Sequence, residues 1–185
     1  MYHYDGRFSR LVELNSKNDI SLFFLLKKNS EEYRRLVSDQ NLPITYPEFL
    51  ETLKTWFSKG RMYQFLVYPK YHDKPVGTIF FFNLNRQDES IKIFVFFEKE
   101  ARGQLLVAES IMTTFAFARQ VIGVKNILFS VYDENETMRK IARKILYSCE
   151  YITHSSVNKK RTIEVYKISH VALDNILIKL KKLHR

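Results

Sequence analysis

Cysteine is nearly absent: Cys149 stands alone among 185 residues. A single thiol excludes an intramolecular disulfide and suits a reducing compartment. A chain of this length needs no such staple, because it buries roughly 70% of the surface its unfolded form exposes. Glycine and proline are also scarce, five and four residues. That leaves no flexible linker, repeat or low-complexity tract, so one domain over 1–168 and a basic amphipathic tail over 169–185 are expected. The uninterrupted apolar runs, such as 22–26 and 79–82, fall far short of a membrane span, and MYHYDGRFSR lacks the apolar core of a secretory signal. A cytoplasmic protein without membrane partners is the expectation. The five histidines are scattered without metal-ligand spacing, so no metal is expected.

Acidic residues are in short supply. Thirty Lys and Arg against twenty Asp and Glu give a net charge of +10. This favours anionic partners, such as a phosphorylated ligand, RNA or an acidic protein, and equally describes a solvated basic surface.

What is present is a clear alternation of periods. RFSRLVEL (7–14) reads as a first strand. Helical patterns follow from Ile20 and in EEYRRLV, and Pro47 opens a third helix, PEFLETLKTWFSKG, stopped by Gly60. MYQFLVYP, PVGTIFFFNL and SIKIFVFFE are aromatic and β-branched, with short turn-like connections, so they form an antiparallel meander. The third is apolar on both faces and is expected to be central. A helix from Gly103 to Ile122 leads to the strand KNILFSVY, which makes a parallel βαβ crossover. A helix over ETMRKIARKILY, two weaker strands near YITHS and RTIEVYKI, and the tail helix complete the chain.

Within EARGQLLVAE (100–109) an arginine and a glycine sit where strand becomes helix. A helix start offers unpaired N–H groups, glycine lets a ligand approach the backbone, and arginine pairs with phosphate oxygens. The combination is an anion site. The plainer reading is a tight turn with a solvated arginine.

The order of elements, with KPVGTIFF (74–81), EARGQLLVAE (100–109) and DENETMRKIARKILY (133–147), resembles the GNAT acyltransferase superfamily. It looks most like the branch that acetylates ribosomal-protein N-termini, with related amino-sugar and antibiotic acetyltransferases. The likeness spans about residues 7–168. It implies an α/β acyl-CoA N-acyltransferase fold, a mixed, mostly antiparallel sheet flanked by helices, and acetyl-CoA as co-substrate. It places Arg102, Gly103, Gln104, Leu105, Leu106 and Val107 on the pyrophosphate loop, Phe96 and Phe97 beside the pantetheine arm, and Asn135 on the asparagine that contacts that arm. The sequence departs from the family pattern at Leu105 and Val107, where small residues are usual, and at Ala142, where many relatives carry a tyrosine acid.

The implied reaction is direct attack of a primary amine on the thioester. The amine belongs to a protein N-terminus, an amino sugar or another small metabolite. Candidates for proton transfer are Glu98, otherwise a surface carboxylate, and Tyr132, otherwise a rim-packing tyrosine. Glu109 reads as a structural or dipole-complementing charge. Cys149 lacks an activating base, the basic run 159–161 reads as a solvated loop, and Tyr63, Phe65 and Tyr68 as core or rim aromatics. Two other functions stay open: a non-catalytic binding or assembly module on the same fold, and an RNA-directed acetyltransferase or RNA-binding protein. A monomer or a homodimer is compatible with the sequence.

Overall fold

The computed structural model describes residues 2–36, 45–132, 149–157 and 161–183. In chain order these form β1 (His3–Asp5), β2 (Ser9–Glu13), α1 (Asp19–Lys28), α2 (Ser30–Leu36), α3 (Tyr46–Ser58), β3 (Arg61–Pro69), β4 (Gly77–Asn85) and β5 (Ser90–Phe97). A 3-10 turn, Lys99–Ala101, then precedes α4 (Leu105–Phe117), which ends in a π turn, Ala118–Ile122. The chain closes with β6 (Asn126–Tyr132), β7 (Cys149–Val157), β8 (Arg161–Ile168) and α5 (His170–Leu183). The strands follow the hydrogen-bonded order β1-β2-β3-β4-β5-β6-β8-β7. The expected mixed sheet with flanking helices is what forms, with β5 in its interior. The helix expected over ETMRKIARKILY lies outside the described residues.

The chain divides into two compact units, residues 1–82 with 95–111, and residues 83–94 with 112–185. In the first, β1 to β4 pair antiparallel in succession. Its core gathers Leu22, Phe49, Leu66, Ile79 and Phe81, all nearly or fully buried. α3 begins where its sequence says it should. Thr45 and Glu48 form a reciprocal capping box across Tyr46-Pro47, which satisfies donors at the helix start, and Phe49 and Leu53 turn inward. One buried polar pair crosses β3 and β4: Gln64 Nε2 donates to Thr78 Oγ1 at 3.0 Å, and that hydroxyl donates to the Phe65 carbonyl. Both side chains are thereby satisfied in a site without water access.

The first strand is shorter than expected. Residues 7 and 8 leave the ladder because their N–H groups turn toward the Glu109 carboxylate instead of a neighbouring strand. The three residues before that turn form β1, too short to show a period in the sequence.

In the second unit, β5 and β6 run parallel from Ser90↔Asn126 to Ile93↔Phe129. β6 pairs antiparallel with β8, and β8 with β7. The crossover helix ends as the π turn, where the Gly123 N–H reaches the Ala118 carbonyl at 3.1 Å. Gly123 then reverses the chain at φ +80°, a conformation that glycine adopts without strain. The helical run from Leu105 to Ile122, 18 residues, is long and apolar enough to cross a membrane by length and composition. Its buried, hydrogen-bonded Glu109 instead marks a core helix.

Tyr68, on β3, is buried, and burial pushes its phenol above the ordinary value; a hydrogen bond to Ser21 and the Arg10 charge pull the other way. A raised folded pKa gives stability that is complete below the unfolded phenol value of about 10 and is lost as pH climbs toward the folded one. Tyr68→Phe is therefore expected to flatten the fall in urea midpoint between about pH 9 and pH 11. An unchanged slope in the variant would refute this.

Candidate functional site

The site grows from the carboxyl end of β5. Phe96 and Phe97 are both buried. Phe96 meets the Tyr33 ring edge-on, with centroids 5.5 Å apart. The Phe97 ring lies over Gly77, where a methyl group would come within 2.4 Å of it. Glu98 N–H then donates to the Val76 carbonyl at 2.9 Å, which holds the strand end against the start of β4.

Beyond Glu98 the chain makes the 3-10 turn, then swings into α4 through Gly103 at φ +81°. Gln104 N–H donates to the Ala101 carbonyl, and Val107 N–H to the Gln104 carbonyl. Among the described residues no acceptor is paired with the N–H groups of Gly103, Leu105 and Leu106. A methyl group added at Gly103 would meet no heavy atom within 4 Å, so this corner is open. Three unpaired N–H groups at the positive end of a 13-residue helix make a concentrated donor site for an anion. Leu105, one of the larger residues in this motif, is 61% exposed, and its side chain does not fill the helix start. Leu106 turns into the core instead, and Val107 is half-buried.

Arg102 is already engaged. Its Nε and Nη2 donate to the Phe97 carbonyl at 3.0 and 2.7 Å. Its Nη1 pairs with Glu32 Oε1, in the first turn of α2, at 2.6 Å. Glu32 carries no sequence signal beyond that of an acidic residue complementing a helix dipole.

Glu98 is not the surface carboxylate its sequence position suggests. Its side chain is 10% exposed, and Oε1 accepts from Lys28 Nζ at 3.0 Å and from Asn29 Nδ2 at 3.1 Å. This ties the end of α1 to the end of β5 and occupies a carboxylate oxygen that a base would use. Glu109 is a structural anchor: Oε1 accepts from the Arg7 N–H, and Oε2 from the N–H groups of Phe8 and Ser9 and from the Ser9 hydroxyl. Its sequence position, six residues past Gly103, gave no hint of that distant turn.

Tyr132 ends β6, with its backbone opposite Ile163 of β8. Asn135 and Ala142 lie outside the described residues. Among the described residues no three His, Cys, Asp or Glu side chains gather as a metal-binding set.

No protein-family model matches this sequence, and no curated protein matches it. Solved structures do. A GCN5-related N-acetyltransferase from Brucella melitensis superposes with TM-score 0.77 at 17% identity, over 98% of this chain and 84% of that one. A nucleotide-linked sugar GNAT in its apo form gives 0.76 at 14%, over 100% and 99%. The dodecameric spermidine N-acetyltransferase from Vibrio cholerae gives 0.68 at 13%, over 88% and 94%. At such identities the likeness is one of architecture: the chain has the GNAT acetyltransferase fold.

Proposed function

We propose that this chain is a cytoplasmic N-acetyltransferase that moves an acetyl group from acetyl-CoA to a primary amine. The observation that carries the reading is the open corner at Gly103, at the start of α4, where the N–H groups of Gly103, Leu105 and Leu106 have no paired acceptor among the described residues. Those three donors suit the diphosphate of an acyl-CoA, and the backbone at the end of β5 suits the amides of its extended arm. The thioester supplies the activated acyl group. The chain would hold it at the end of β5, beside the buried Phe96 and Phe97, which keep water from that strand end. A protein N-terminus, an amino sugar and a small metabolite all present the required amine. Solved structures of the same fold include a spermidine N-acetyltransferase and a nucleotide-linked sugar GNAT, and the acceptor of this chain is left open among these amines.

Calorimetric titration with acetyl-CoA tests the reading. Micromolar binding is expected from the wild type. Gly103→Asp places a carboxylate among the three donors and is expected to weaken binding at least about tenfold, about 1.4 kcal/mol. The fold should survive, because aspartate tolerates positive φ and the corner is open. Silence of the wild type toward acetyl-CoA and longer acyl-CoAs would overturn the enzyme and favour the binding module, which draws on the engaged state of Glu98 and Arg102. Steep salt-dependent retention on tRNA would instead favour the RNA reading drawn from the +10 charge.

A further inference from the structure

Arg102 is held at both of its faces by the chain itself. One guanidinium spans a carboxylate on α2 and the last carbonyl of β5, through Nη1 to Glu32 and through Nε and Nη2 to Phe97. The group is planar and rigid, so the anchor on Nη1 dictates where the other two donors point. Neither partner is deeply buried: the Arg102 and Glu32 side chains are 41% and 35% exposed, so a stronger anion has access to the pair.

We propose that Glu32 sets the affinity of this site by competing with the diphosphate for Arg102, and that Arg102, on leaving Glu32, frees the Phe97 carbonyl. This rests on the acyltransferase reading. Arg102 immediately precedes Gly103, the first of the three open donors, so the corner that attracts a diphosphate lies next to it along the chain. A diphosphate offers more charge and more acceptor oxygens than one carboxylate. Arg102 exchanges one ion pair for the other. A second consequence falls on β5. The Phe97 carbonyl, capped by two N–H donors while Arg102 is latched, becomes free to accept from an amide of an extended arm lying along the strand. Glu32 is thus a positioning residue, acting through Arg102, and the two halves of the ligand are coupled through one side chain.

Two fragments separate these effects: ADP, which carries the diphosphate without the arm, and S-acetylpantetheine, which carries the arm without the diphosphate. In the wild type, saturating ADP is expected to raise S-acetylpantetheine affinity about threefold, the worth of a half-exposed ion pair. Glu32→Gln is expected to raise ADP affinity by a similar factor and to let S-acetylpantetheine bind equally well with or without ADP. Arg102→Lys, which cannot fork between two partners, should abolish the coupling and weaken ADP. Independent binding of the fragments in the wild type, or weaker ADP binding by Glu32→Gln, overturns the competition while leaving acetyl-CoA binding intact. A wild type that ignores acetyl-CoA itself overturns the acyltransferase reading and this inference with it.

Discussion

Glu109→Ala is expected to lower stability by about 4 kcal/mol, the sum of several stranded buried donors at roughly 1 kcal/mol each. Glu109 is 1% exposed. It accepts from the backbone N–H groups of Arg7, Phe8 and Ser9 and from the Ser9 hydroxyl, all between 2.7 and 3.0 Å. Truncation would leave those donors facing a cavity. The turn is built tightly around the charge: a methyl group at Gly6 would come within 2.5 Å of a Glu109 oxygen. For a chain of this size a loss of about 4 kcal/mol lowers the melting temperature by about 10 °C. Glu109→Gln keeps the shape and one acceptor but turns an amide N–H toward donors, so it should lose about half as much. Thermal and urea unfolding of the three proteins checks the order. An alanine variant that melts within about 2 °C of the wild type would show that the turn finds other acceptors. Glu109 also anchors α4 one turn after its start, so a surviving variant should bind acetyl-CoA less tightly.

The second large effect is expected at Gly77. In Gly77→Ala the added methyl group would lie 2.4 Å from Cδ1 of Phe97 and 2.7 Å from the Phe96 carbonyl oxygen. The ring has little room to withdraw because Phe97 is buried, and the carbonyl belongs to the strand itself. Strand β4 or the end of β5 must shift, at about 3 kcal/mol for overpacking of this kind. The displaced end is the segment whose last carbonyl Arg102 caps. Acetyl-CoA affinity should therefore fall in the fraction that remains folded, by about tenfold for a displacement near 1 Å. Urea titration gives the stability and calorimetry below the transition gives the affinity. Gly103→Ala is the control. It is open space at positive φ, so it should lose only about 1 kcal/mol of strain. Equal losses at the two glycines would refute the steric account of Gly77.

Much of the architecture was legible because it rests on local patterns. The aromatic and β-branched runs became β3, β4 and β5, Gly123 stopped the crossover helix at positive φ, and β6 lies parallel to β5. The Thr45-x-x-Glu48 capping box was also present in the letters, although proline alone is enough to mark that start. The candidate site was legible only in part. Gly103 opens the helix where residue types suggested an anion corner, but the arginine beside it is turned back onto its own strand and onto Glu32.

By itself, the sequence determined the place of β3 to β6 and of the helices α1, α3 and α4, the two-sided apolar character of β5, and a glycine at the start of α4. These follow from periodicity, φ preference and the geometry of a helix end, all properties of neighbouring residues. Only the tertiary structure decided what the charged groups do. Glu98 went to Lys28 and Asn29, Arg102 to Glu32 and the Phe97 carbonyl, and Glu109 to a turn about a hundred residues away along the chain. A charge takes whichever partners folding brings within about 3 Å, and sequence distance carries no information about that.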